Sequence, residues 1–174
     1  MSAVEAPVSG RAPALRRAFD ATFALSIEEA PAAGDDFLSI RLGGDFYALR
    51  LTEVAGIFAD RKITSLPTGV TELTGLAGFR GAMVPVYDLA ALMHYPPAGA
   101  ARWMAIAATA PVGFTFDRFE GHVRCPSGSI ASALNSQVRE HVRDVVHGAD
   151  RGHFVIDLPS VIAAIRARAG AAAS

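Results

Sequence analysis

Phe79-Arg80-Gly81-Ala82-Met83-Val84-Pro85-Val86-Tyr87-Asp88-Leu89 decides the fold, because the chain repeats its plan later as Asp150-Arg151-Gly152-His153-Phe154-Val155-Ile156-Asp157-Leu158. In both stretches Arg-Gly makes a turn, a short apolar strand follows, and Asp-Leu ends it. Glycine supplies the backbone freedom that such a turn needs. Each Asp-Leu opens a helical pattern: Leu89, Leu92 and Met93 after Asp88, and Leu158, Val161, Ile162 and Ile165 after Asp157. Both aspartates read as N-caps, worth about 1 kcal/mol each, because a carboxylate accepts orphan amide N–H groups. Pro159 falls in the first helical turn, where its missing N–H is harmless. Pro85 lacks a ladder donor, so its strand is predicted at a sheet edge or with a bulge.

Working outward, the duplication extends to a hairpin before each stretch. Leu38, Ile40 and Leu42 alternate with Ser39 and Arg41, Gly43-Gly44-Asp45 turns, and Tyr47, Leu49 and Leu51 alternate with Ala48 and Arg50. The echo runs Trp103 to Ala108, turns at Thr109-Ala110-Pro111, and returns over Val112 to Asp117. Alternation predicts that the Leu38/Ile40/Leu42 and Ile106/Phe114/Phe116 sets face barrel interiors. A unit of roughly 65 residues is too small to hold a core alone. The sequence therefore predicts two small antiparallel β-barrels sharing one hydrophobic core. Their division is placed near residues 96–100, around Pro96-Pro97-Ala98-Gly99.

Residues 1–35 read as a flexible tail, rich in Ala, Pro, Gly and Ser at both ends. Within it, Leu15, Phe19, Phe23 and Ile27 share one helical stripe. That stripe either covers an edge of the folded domain or binds a partner.

Composition excludes several function classes. Sixteen basic residues oppose 17 acidic ones, with no basic stripe and no aromatics interleaved with basic residues, so nucleic-acid binding is not expected. No apolar run is long enough to span a membrane, and no signal peptide is evident. The lone Cys125 forms no internal disulfide, which fits a reducing cytoplasm. His141 and His147 are six apart, which places them on different helix faces rather than at metal-pair spacing. His122 and Cys125 lack the features of a nucleophilic site, and Cys125 reads as a small buried hydrophobe. No phosphate-loop pattern occurs. No catalytic residue, cofactor or metal is expected.

Phe37 to Leu51, Leu66-Pro67, Arg80 to Leu89, Val112-Gly113 through Asp117-Arg118, and Val155 to Leu158 together resemble the CheW-like domain family. The resemblance covers about residues 37–168, within a domain placed at 36–170. It implies a mainly β fold: two SH3-like five-stranded barrels with short helices and a C-terminal helix. It also implies a non-catalytic cytoplasmic adaptor at receptor arrays on the inner face of the membrane. Such adaptors bind the cytoplasmic tip of methyl-accepting chemoreceptors, the regulatory domain of a CheA-type histidine kinase, and other CheW-like domains. By resemblance, Val54, Gly75, Arg80 and Gly113 match receptor-groove or barrel positions. Arg80 has a second reading, in which it braces the barrel through backbone carbonyls or Asp88. Gly78, Gly56 and Ala90 stand where family members often carry Asn, Glu and Arg. A divergent small β-barrel that binds a ligand or another partner is the alternative function.

Overall fold

The computed structural model describes residues 34–96, 101–126, 128–132, 140–147 and 151–172. The Leu15 to Ile27 stripe and the Pro97–Gly99 linker lie outside them. Gly34 and Asp35, which the sequence assigns to the tail, already belong to the first strand. Strand β1 (Gly34–Leu42) and β2 (Asp45–Arg50) form the first hairpin. Leu42 pairs with Asp45, so Gly43 and Gly44 are the whole loop, at φ 56° and 94°. Two successive positive φ angles are what a two-residue type I′ turn demands.

The remaining strands are β3 (Val54–Ala59), β4 (Leu73–Phe79), β5 (Ala82–Asp88), β6 (Trp103–Ala107), β7 (Gly113–Phe116), β8 (Arg118–Pro126), β9 (Ile130–Ser132), β10 (Val142–His147) and β11 (Gly152–Ile156). Helix α1 is one turn, Leu89–Leu92, and helix α2 spans Leu158–Ala172. One sheet has the order β8-β1-β2-β11-β10-β9, the other β3-β6-β7-β5-β4. The first carries six strands instead of the expected five, because the three-residue β9 adds an edge.

The sheets do not divide the chain at 96–100. Residues 54–116 build the five-stranded sheet, and the segments before and after them build the other. The duplication explains this arrangement. Each half gives its opening hairpin to the sheet built by the other half: β1–β2 joins β8, β10 and β11, while β6–β7 joins β3, β4 and β5. Each hairpin is joined on both sides, by the equivalent parallel pairs β2–β11 and β5–β7 and by the antiparallel pairs β1–β8 and β3–β6. The five-stranded sheet curls until its edge strands meet. Phe58 packs edge-to-face on Phe79 at 5.9 Å, Arg61 donates to the Gly78 carbonyl at 2.7 Å, and Thr64 bridges Leu76 with two 2.8 Å backbone hydrogen bonds.

Pro85 is not on an edge strand, since β5 lies between β4 and β7. Its missing N–H still costs no ladder bond. Leu76, its register partner, spends its own N–H and C=O on Thr64, and β7 pairs with β5 only from Val86 onward.

Burial on both faces of each sheet corrects the predicted facing. Leu38, Ile40, Leu42, Phe114 and Phe116 enter a cluster shared by both sheets, together with Leu89, Leu92, Leu158, Val161, Ile162 and Ile165. The barrel interiors hold Phe37, Ala48, Cys125, Val146 and Val155 in one sheet, and Ala77, Val84, Val86, Met104 and Ile106 in the other. Ile106 pairs with Gly113, one step from Phe114, so alternation sends the two side chains to opposite faces.

Both capping aspartates act as predicted. Asp88 accepts from Ala90 N at 2.9 Å and Ala91 N at 3.3 Å, and Asp157 accepts from Ser160 N at 3.2 Å. Glu53 joins the parts: its carboxylate accepts from Leu158 N at 3.3 Å, and its backbone carbonyl accepts from Ala108 N. Burial pushes the Glu53 carboxyl above its ordinary value and the Asp157 charge adds to this, while the Leu158 amide opposes them. The folded state therefore holds this proton more tightly than the unfolded chain. The stability this contributes is complete below the unfolded value and is lost as pH rises through the folded one. In urea titrations from about pH 4 to about pH 7, wild type should lose stability relative to Glu53→Gln as pH rises. Parallel stability curves for the two proteins would contradict the assignment.

Candidate partner-binding surface

The β4–β5 hairpin presents Arg80. Phe79 pairs with Ala82, leaving Arg80 and Gly81 as the loop at φ 47° and 81°. A left-handed backbone costs a residue with a Cβ about 1–2 kcal/mol, so arginine here is not the choice that stabilises the turn. Its guanidinium carbon lies 5.0 Å from the Phe79 ring centroid. Among the described residues it makes no hydrogen bond or ion pair, and Asp88 is engaged in capping α1. The bracing reading of Arg80 therefore finds no contact.

Around this tip the meeting of β3 and β4 assembles residues that sequence reasoning missed. Arg61 stacks on Phe58 at 5.2 Å, and Arg102 pairs with Asp60 at 3.1 Å. Met83 is 59% exposed. A concave surface runs over Asp60, Arg61, Lys62, Thr64, Leu76 and Met83. Arg61 and Lys62 face it against the single Asp60, which Arg102 pairs, with Leu76 and Met83 beside them. Alternation offered one signal: Met83 points opposite to the buried Val84.

The other three predicted positions are different in kind. Gly75 and Gly113 flank Val86 in register, in a row that continues to Ile106 and Gly56 and so crosses all five strands. Both glycines are buried. A Cβ on Gly113 would stand 3.2 Å from Ile106 Cδ1 and from Val86 Cγ2. Val54 opens β3, half-buried against the shared cluster. Arg80 stands apart from this row, just beyond Phe79, the end of β4, which lies about 13 Å along the strand from Gly75 at about 3.3 Å per residue.

The departures have local causes. Ala90 is 1% exposed within the shared core, where arginine has no room. A Cβ on Gly56 would press on Phe58 at 3.2 Å, and the Gly78 carbonyl receives Arg61. Cys125 is fully buried, and burial raises its thiol pKa. His122 is exposed and pairs with Asp36 at 2.9 Å. Among the described residues no group of three or more His, Cys, Asp or Glu is placed to hold a metal ion, and no helix is long and apolar enough to cross a membrane.

The sequence matches the profile of the CheW-like domain over residues 36–166. The chain belongs to the CheW-like domain family. Its fold is similar to that of the scaffolding protein TtCheW from Thermoanaerobacter tengcongensis, with a TM-score of 0.66. The two are 18% identical, and the match covers 72% of this chain and 90% of the other. A comparison with curated proteins found no match. The CheW-like match spans both sheets, both exchanged hairpins and the start of α2.

Proposed function

We propose that this chain is a non-catalytic scaffold adaptor that couples the cytoplasmic tip of chemoreceptors to the regulatory domain of a CheA-type histidine kinase, on the cytoplasmic side of the membrane. The observation that carries this reading is the family match across the whole two-sheet fold. The exposed, strained Arg80 tip supports it, because backbone strain that does not serve the fold points to use by a partner. Arg80 would contact the receptor directly. Val54, Gly75 and Gly113 would shape the sheet that carries it.

Binding of the purified chain to a receptor-tip fragment and to a kinase regulatory domain tests the proposal. Arg80→Gly should weaken receptor-tip binding by about 1–3 kcal/mol, the range of an interface anchor. The same variant should leave stability unchanged or raise it by about 1 kcal/mol, because glycine relieves the left-handed turn. Lower stability with unchanged affinity would assign Arg80 to the fold. Absence of binding to either partner by the intact chain would reject the adaptor reading.

A further inference from the structure

Arg151 of the second Arg-Gly turn lies over Phe46, its guanidinium carbon 4.3 Å from the ring centroid. The first turn has an opening beside it, and the strand ladder explains why. Leu76 pairs with Pro85, which has no N–H, so Leu76 turns both backbone groups away from β5 and exchanges two 2.8 Å hydrogen bonds with Thr64. The direction of hydrogen bonding alternates along an antiparallel strand. Gly78, two residues on and about 6.6 Å further, therefore also turns its N–H and C=O away from β5. Its carbonyl accepts from Arg61 Nη2 at 2.7 Å. Its N–H has no hydrogen-bond partner among the described residues. The seam between residues 60–64 and β4 thus closes at Leu76 and opens at Gly78.

Space, apolar surface and charge meet at this opening. Half-buried Gly78 lines a cleft of about 580 Å³, a size typical of ligand clefts, about 300–1,000 Å³. A Cβ added to Gly78 would meet no atom within 4 Å, so the space above it is empty. Met83 is the register partner of Gly78 and shares its face of the sheet. With no side chain on Gly78 to cover it, Met83 stays 59% exposed. Lys62, the chain's only lysine, is exposed on the same cleft and has no ion pair among the described residues. Asp60 is held by Arg102 at 3.1 Å, so the charge left uncompensated there is positive.

We propose that this cleft receives an extended acidic segment of a partner protein, laid beside β4. One backbone carbonyl of the segment accepts from the Gly78 N–H, an apolar side chain covers Met83 above Gly78, and a carboxylate meets Lys62. An unused donor on a strand edge is a template for an added strand. Arg61 already holds the Gly78 carbonyl and Thr64 closes Leu76, so the guest gains one main-chain bond at this edge. Its side chains must supply the rest, which is why Met83 and Lys62 set the choice of partner. The inference deepens the adaptor reading and rests on it for the existence of a partner.

The test is NMR on the intact chain, titrated with a blocked Ser-Leu-Glu-Leu-Glu-Ser peptide. Ser-Leu-Gln-Leu-Gln-Ser and Ser-Gly-Glu-Gly-Glu-Ser serve as parallel arms. The Gly78 amide and Met83 methyl signals should shift saturably, and each control peptide should bind about tenfold more weakly, the scale of one charged hydrogen bond or one buried side chain. Gly78→Val fills the space over β4 without touching the ladder, so it should weaken peptide binding about tenfold or more while leaving the thermal midpoint in place. Met83→Ser and Lys62→Gln, both at exposed positions, should each weaken it too. Absence of saturable shifts at Gly78, or equal binding by Gly78→Val, would overturn the proposal. Binding of a receptor-tip fragment and of a kinase regulatory domain separates it from the adaptor reading. Both partners bound equally well by wild type and Gly78→Val would reject the cleft and keep the adaptor. Saturable peptide binding by a chain that binds neither partner would keep the cleft and reject the adaptor.

Discussion

Expressed separately, residues 1–96 and residues 97–174 should each lack a cooperative unfolding transition as monomers, and mixing the two should restore one. The cut leaves every strand intact but divides both sheets. The first piece keeps β3, β4 and β5 yet loses β6 and β7, which stand between β3 and β5. The second keeps β8 to β11 yet loses β1 and β2, which stand between β8 and β11. The shared cluster is divided as well: Leu38, Ile40, Leu42 and Leu89 go to one piece, and Phe114, Phe116, Ile156 and Val161 to the other. A domain of this size is stable by only about 5–15 kcal/mol, and neither piece retains a complete core from which to draw it. Mixing returns both parallel joints, β2 with β11 and β5 with β7, at the cost of a bimolecular association. Circular dichroism and urea titration of each piece and of the mixture read the outcome. A monomeric first piece that unfolds cooperatively with a native-like midpoint would refute the exchanged architecture as the basis of stability.

That exchange was the part of the fold the sequence did not disclose. The hairpins were legible because period-two alternation around Gly43-Gly44 is a local signal. The caps were legible because Asp-Leu before a helical pattern states its own chemistry. The pairing of Tyr47 with Phe154 joins opposite ends of the chain, and nothing local to either residue announces it. Alternation also tells which side chains share a face without telling which of two buried faces that is. Hence Leu38, Ile40 and Leu42 were grouped correctly and assigned to the wrong interior. The candidate surfaces follow the same division. Arg80 was visible as a motif residue, but its left-handed backbone was not. Phe58 and Arg61 become neighbours of the tip only when the sheet curls. Arg151 was visible as the repeat partner of Arg80, while its stacking on Phe46 depends on the β2–β11 joint.

Gly75→Ala should lower the unfolding free energy by about 2–5 kcal/mol, the sum expected for a Cβ in a glycine-only backbone region and for overpacking against fixed atoms. Gly75 sits at φ 151°, beside the irregularity that shifts register between Leu73 and Gly75. An added Cβ would overlap the Thr64 carbonyl oxygen, lie 2.8 Å from its carbonyl carbon and stand 3.0 Å from Ser65 Cα. These are backbone atoms, so no rotamer change relieves the clash. The nearest escape is to move Thr64, which breaks the Thr64–Leu76 bridge that helps close the five-stranded sheet. The same hairpin provides the control. Gly78 lies on β4 without a positive φ, and a Cβ there meets open space, so Gly78→Ala should change stability by less than about 0.5 kcal/mol. Urea unfolding of the two variants side by side decides the point, and equal stability would remove the steric account of Gly75. The comparison also governs how binding data are read. If Gly75→Ala loses receptor-tip affinity together with stability while Arg80→Gly loses affinity alone, Gly75 shapes the sheet and Arg80 touches the partner.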